Sequence, residues 1–246
     1  MVFAPSPRFS PNSTDPYPLE ADTVAKYFGD RLVLRSASLR AERGVITALL
    51  GRNGIGKSTL LRIMCGLISP HSGNVRISGV ARASFTLAVL ARHGIFFLPD
   101  RDLLHPLMSV RTQLETAATM RGNVADIERI AAMFGITERL DVRPHRLSGG
   151  ELRRAEFAFA LCCAPRVLVA DEPLRGISPV DAETILTALR PVANDGCAIV
   201  LTGHEVNLIL PHADRINWCV AGTTIQFASS VEAMVDPAFR KNFLPA

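Results

Sequence analysis

Lysine is nearly missing from this chain. Only Lys26, Lys57 and Lys241 occur among 27 basic residues, so arginine carries the positive charge. The net charge is a mild +4 and no basic block stands out, so nothing in the charge pattern asks for a nucleic-acid partner. Long apolar runs are missing too. The longest, such as AFALCCA, fall far short of the ~20 residues that span a bilayer. The N-terminal stretch MVFAPSPRFSPNSTDPYP has no apolar core of a signal peptide. A soluble chain is expected, whose membrane role would have to run through a partner. Metal-ligand spacing is also absent. The five cysteines (Cys65, Cys162, Cys163, Cys197, Cys219) form no CxxC pair and sit in apolar surroundings, which reads as reduced, buried thiols.

What the chain does have is enough apolar content to fold. It is 48% hydrophobic over 246 residues. A chain of that length buries roughly 70–75% of its unfolded surface, as one domain or two joined subdomains. Residues 1–19 are rich in proline and small polar residues and read as a disordered leader. Beyond them, short apolar runs alternate with helical patterns: RLVLRSASL, GVITALL, KSTLLRIMCGL, NVRISG, GIFFLP, RVLVAD, a helix from about Pro179 to Ala193, and AIVLTG. Such alternation predicts an α/β domain with a largely parallel sheet. Residues 110–161 lack strand signals and repeat apolar residues at helical spacing, which predicts an inserted helical subdomain over about 101–163. The stretch RINWCVAGTTIQFASS reads as a hairpin, VEAMVDPAFRKNF as a terminal helix, and 241–246 as a tail.

Residues 51–58, GRNGIGKS, fit G-x-x-x-x-G-K-[ST], with an apolar strand before them and a helix after. Gly51, Gly54 and Gly56 let the backbone turn its N–H groups onto a phosphate. The helix N-terminus adds its dipole. Lys57 should reach the β- and γ-phosphates, and the Ser58 hydroxyl should ligate Mg²⁺. Asn53 and Thr59 complete the nucleotide-binding set. Farther on, RVLVADEP is an apolar strand ending in two carboxylates, the design of a ligand site at a strand's C-terminal edge. There Asp171 is suited to Mg²⁺ and Glu172 to orienting the water that attacks the γ-phosphate. In AIVLTGHE the polar end of a strand brings His204, which is either a γ-phosphate partner or a structural histidine.

One stretch looks redundant. HRLSGGELRR carries a serine and paired glycines opening a basic helix, phosphate-binding equipment placed roughly ninety residues after a complete phosphate loop. The order GRNGIGKST, LSGGE, VLVADEP and a strand-terminal histidine resembles the ATPase subunit of an ATP-binding cassette (ABC) transporter, from about Glu20 to about residue 240. The details LSGGELRRAEFAFAL and DEPLRGISP resemble most the lipopolysaccharide-export and branched-chain amino-acid-import group.

That resemblance implies a phosphate-loop ATPase fold with N-terminal antiparallel strands, and ATP and Mg²⁺ as ligands. It makes Ser148, Gly149 and Gly150 the signature motif, Glu172 the catalytic carboxylate and His204 the switch histidine. It points to Phe28 in KYFGD as the ring that stacks on adenine, with Tyr27 as the other candidate and a plain core aromatic as the third possibility. It implies a dimer with a second ATPase subunit, alike or different, in which each ATP lies between one chain's Lys57 loop and the other's Ser148–Gly150. Membrane permease subunits are the implied partners, at the cytoplasmic face of the cell membrane. Leu103, Leu104 and Leu107 are either their contact or core. Three positions depart from the family pattern: Asp100 replaces a glutamine, yet is able to approach Mg²⁺; Ser178 replaces an aspartate; and Glu151 replaces a glutamine. A soluble ABC ATPase uncoupled from transport, and a nucleotide-gated subunit with weak hydrolysis, stay open as alternatives.

Overall fold

The structure, a computed structural model, describes residues 15–82, 85–100, 103–120 and 126–243. Antiparallel β1 (Leu19–Phe28) and β2 (Arg31–Ala41) come first, followed by β3 (Ile46–Leu50) and α1 (Lys57–Met64). The chain returns through β4 (Ser72–Ile77), β5 (Val80–Arg82) and α2 (Leu87–Arg92) to β6 (Ile95–Leu98). A helical block follows: α3 (Val110–Met120), α4 (Ile127–Met133), two short 3-10 turns and α5 (Gly149–Cys162). Then come β7 (Val167–Ala170), α6 (Pro179–Asn194), β8 (Ala198–Gly203), α7 (Val206–Ile209), the hairpin β9 (Arg215–Val220) and β10 (Thr223–Phe227), and finally α8 (Ser230–Val235) and α9 (Pro237–Phe243).

The strands lie in the order β5-β4-β1-β2-β10-β9-β3-β8-β7-β6. The first four are antiparallel, whereas β9, β3, β8, β7 and β6 run parallel. This is the expected α/β fold, with its antiparallel N-terminal strands and helical insertion. The central strands read as unbroken apolar runs because both of their faces are covered. Ile46, Leu50, Leu168, Ile199 and Leu201 face one core with Phe134 and Phe157 of the helical block. Leu49, Val167, Val169 and Val200 face the other, with Leu60 and Leu61 of α1 and Leu34 and Leu39 of β2. Each such side chain contributes about 1.5–3 kcal/mol on full burial.

Register then decides where the site falls. Leu98 pairs with Ala170, Ala170 with Leu201, and Leu50 with Gly203, so the four parallel strands end within two residues of one another. Whatever follows them shares one edge: Gly51, Asp171, His204 and Asp100.

Some boundaries differ from expectation. Most of the leader, residues 1–14, lies outside the described residues, as do 244–246 of the tail and 101–102 and 121–125 of the helical block. Leu19, expected in the leader, is fully buried in β1 opposite Ala41 and Ile77. The single terminal helix is two, because Asp236 leaves helical conformation and accepts a hydrogen bond from the Phe239 N–H to start α9 at Pro237. That second helix continues through Lys241 to Phe243 and is pinned by Phe239, whose ring lies 5.8 Å from Trp218 and 5.6 Å from Phe227. The short α2, capped by the Thr86 side chain, was not foreseen; six residues are too few to show a period.

Candidate functional site

The loop between β3 and α1 is built to receive an anion. Helix α1 starts at Gly56 with no side-chain cap and no acid in its first turn, so its first N–H groups have no internal competitor. Gly56 has φ +116°, and a methyl group there would stand 2.8 Å from Leu34, so both conformation and space demand glycine. Lys57 is only 3% exposed and turns back over the loop. Its ammonium donates to the carbonyls of Gly51 (2.8 Å) and Arg52 (3.2 Å) and lies 3.7 Å from Glu172 Oε1. A buried ammonium needs such partners, and phosphate oxygens could replace or join them.

The carboxylate edge meets this loop directly. Ser58 Oγ donates to Asp171 Oδ1 at 2.9 Å, and the Thr202 hydroxyl donates to the same oxygen at 3.0 Å. Thr202 also accepts the backbone N–H of Glu172 at 2.7 Å. One fully buried hydroxyl at the end of β8 therefore fixes both acids at the end of β7. Glu172 itself has φ +42°, a left-handed conformation unusual for a side chain of its size. Its carboxylate points between Lys57 and Arg175, the latter 3.8 Å away. Thr202 was missed by sequence reasoning, although it stands two residues before His204 in the polar end of AIVLTGHE; the histidine drew attention instead.

The other candidates differ in their surroundings. His204 is partly exposed and makes its contacts with its neighbour, its Nε2 3.4 Å from Glu205 Oε1. Asp100 stands exposed at the end of β6, on the same edge as Asp171. Phe28 and Tyr27 are both about half exposed near the β1–β2 turn. Tyr27 is met edge-on by His71, and the ammonium of Lys26 lies 5.6 Å from the Phe28 ring centre. Neither ring is a core residue. Asn53 is exposed in the loop, and Thr59 lies in the first turn of α1.

Ser148, Gly149 and Gly150 open α5 and share no hydrogen bond or ion pair with Lys57, Ser58, Asp171 or Glu172. Ser148 caps the helix reciprocally with Glu151: Ser148 Oγ accepts the Glu151 N–H, and Glu151 Oε2 accepts that of Ser148. The Arg139 guanidinium, bound to Glu151 at 2.7 Å, and the Ser148 N–H push the Glu151 carboxyl down to about 2. A methyl group at Gly150 would overlap the Asp181 carboxylate, which also forms a 3.1 Å ion pair with Arg154. Ser178, where the charge was expected to be missed, is the N-cap of α6, and its hydroxyl donates to Asp181 at 2.6 Å. Four of the five cysteines are free and buried as expected, whereas Cys163 is half-buried: burial pushes Cys162 and Cys197 up to about 12 and Cys219 to about 11.

This arrangement has known relatives. The family described as ABC transporter matches residues 34–175, more than half of the chain. The chain belongs to that family. The lipopolysaccharide export system ATP-binding protein LptB of Acidithiobacillus ferridurans is 30% identical over 236 residues, covering 92% of this chain and 96% of LptB. Among solved structures, the ADP conformation of MJ1267, an ATP-binding cassette of an ABC transporter, has a TM-score of 0.81 at 22% identity, over 94% of this chain and 99% of that one. A dimeric post-hydrolysis structure of the ATP-binding cassette MJ0796, bound to ADP and Pi, has a TM-score of 0.72 at 23% identity, over 85% and 98%. These two likenesses speak for the fold. This ABC subunit is thus the nucleotide-binding, ATP-hydrolysing part of a transporter. No helix among the described residues is long and apolar enough to cross a membrane.

Proposed function

We propose that this ABC subunit hydrolyses ATP at the junction of two ATPase subunits and drives a separate membrane permease at the cytoplasmic face. The carrying observation is the contrast between its two phosphate-facing regions. Lys57, Ser58, Asp171 and Glu172 are tied into one cluster, while Ser148–Gly150 is complete in itself and engages none of them. A signature that does not serve its own loop serves a partner's.

On this reading the loop from Gly51 to Thr59, with Asn53, Gly54 and Gly56, wraps the phosphates, and the α1 dipole and Lys57 balance their charge. Ser58 and Asp171, a hydroxyl and a buried carboxylate 2.9 Å apart, suit a hard cation that takes its remaining ligands from phosphate and water. Mg²⁺ held there would neutralise charge on the β- and γ-phosphates; Asp100 is the further oxygen on the same edge. Glu172 accepts a hydrogen bond from the attacking water and turns its lone pair toward the γ-phosphate. His204 and the partner's copy of the Ser148–Gly150 segment supply donors to the γ-phosphate oxygens. Phe28 stacks on adenine. Of the leucines considered for the permease contact, Leu104 is core and Leu103 packs against it, so Leu107, 63% exposed, and its neighbour Met108 form that contact.

Glu172→Gln keeps the shape of the side chain and removes its basicity. Turnover should fall by about 10²–10⁴-fold. ATP should then accumulate a dimer, visible as a doubling of mass by light scattering. Hydrolysis at the wild-type rate in this variant overturns the assignment.

A further inference from the structure

Arg153 is buried one turn into α5, with only 5% of its surface exposed, beside an equally buried Glu156. Burying a guanidinium is costly unless every N–H has an acceptor, so its choice of acceptors is informative. Nη1 donates to Glu156 Oε2 at 2.7 Å and to the carbonyl of Pro99 at 2.8 Å. Nε donates to the carbonyl of Pro173 at 2.9 Å, and Nη2 reaches that of Asp171 at 3.5 Å. The other Glu156 oxygen accepts the Leu103 N–H at 3.2 Å. The ring of Phe157 backs the guanidinium at 5.6 Å.

These acceptors are backbone carbonyls at functional places. Asp171 and Pro173 flank Glu172, whose φ of +42° needs surroundings that hold it there. Thr202 holds the Glu172 N–H from one side, and Arg153 holds the two flanking carbonyls from the other. Pro99 precedes Asp100, and Leu103 lies three residues beyond it, so the pair also grips the loop after β6. The helix that carries the pair begins with Gly149 and Gly150.

We propose that Arg153, fixed by Glu156, is a positioning residue that sets the backbone of Glu172 and ties it, with the Asp100 loop, to the signature helix. This rests on the reading of Glu172 as the catalytic carboxylate. A shift of α5 caused by engaging a partner's nucleotide moves the guanidinium, and with it both loops. The match depends on the planar fork of arginine: a lysine ammonium keeps the charge opposite Glu156 but is a point donor, unable to span carbonyls lying on separate loops.

The test is a double-mutant cycle on the full chain, following steady-state hydrolysis across ATP concentrations and binding of a fluorescent ATP analogue. R153K should lower kcat by about 10–100-fold, the scale of a misplaced reacting group, with KM and analogue affinity changed less than about twofold. In the E172Q background R153K should cost nothing further, because a residue that acts through Glu172 has nothing left to position. A kcat for R153K within twofold of wild type, or losses that multiply in the double variant, overturns the proposal. If R153K does not yield folded chain, E156Q enters the same cycle with the same two criteria and a loss of about threefold, since it keeps the fork and neutralises only its anchor. Wild-type turnover in E172Q alone would instead overturn the catalytic assignment beneath it.

Discussion

The two regions proposed to face phosphate, Gly51–Thr59 and Ser148–Gly150, are held in opposite ways. The first is cross-linked to distant parts of the chain. Ser58 on α1 meets Asp171 after β7, and Thr202 on β8 closes the triangle. Parallel register is what brings them to one edge, so the geometry of this half depends on the whole central sheet. The second is held locally: Ser148 and Glu151 cap each other, Arg139 anchors Glu151, and Asp181 presses on Gly150. Its N–H groups are aimed by α5, which reaches the first region only one turn further along, where Arg153 holds the carbonyls of Asp171 and Pro173. A half-site built that way is suited to a ligand held by another chain.

The largest expected effect comes from breaking the halves separately and then mixing them. Lys57→Ala should abolish hydrolysis in one preparation, and Gly149→Asp, which sets a negative charge where phosphate belongs, in another. A methyl group at Gly149 meets no neighbouring atom within 4 Å, so the second variant should fold. If the halves serve different chains, each mixed dimer keeps one intact site. Activity should return on mixing to on the order of a quarter of wild type, as statistical pairing in a two-fold dimer gives. No recovery after mixing and concentrating with ATP would show that the halves act within one chain.

Thr202→Val comes next. It keeps the volume but takes one of two hydroxyl donors from the buried Asp171 carboxylate, leaving Ser58, and leaves the part-buried Glu172 N–H without its acceptor, and should cost about 1–3 kcal/mol in urea unfolding. Turnover should fall more than ATP affinity, since the loop and Lys57 are untouched. Equal losses in both would mean that Thr202 supports the nucleotide pocket in general.

Much of this comparison was readable in the sequence, and the unread part has a common cause. The phosphate loop and the acidic strand end are contiguous stretches whose chemistry follows from local spacing, and the signature is a contiguous stretch whose role the family resemblance implies. The apolar strands, covered on both faces, are contiguous too. Thr202 and Arg153 are different: their roles depend on which carbonyls and carboxylates the folded chain brings beside them, and no local pattern records that. Ser178 lies between. Its loss of charge relative to the family pattern was legible, yet so was S-P-V-D, a serine three residues before an acid at a helix start. The carboxylate is present three positions later, turned toward Arg154 and Gly150 of its own signature helix. Leu19 was misplaced because proline-rich composition masked a strand that its neighbours β2 and β4 enforce.

The smallest expected effect sharpens the local character of the signature. Glu151 is held down to about 2 from an ordinary 4.5, first by Arg139 and then by the Ser148 N–H. A depressed carboxyl stabilises the fold fully above its unfolded value, and that contribution is lost as the pH falls through the folded one. The stability difference between wild type and Glu151→Gln should therefore be constant above pH 5 and shrink between about 4.5 and about 2. Gln keeps an acceptor for the Ser148 N–H but loses the ion pair, so the difference at pH 7 should stay near 1 kcal/mol, the scale of an exposed pair with one helix cap. Urea unfolding at both pH extremes measures it. A difference independent of pH would mean that Arg139 stays in place without the charge, and that the signature helix is set by its packing against α6 rather than by its own cap.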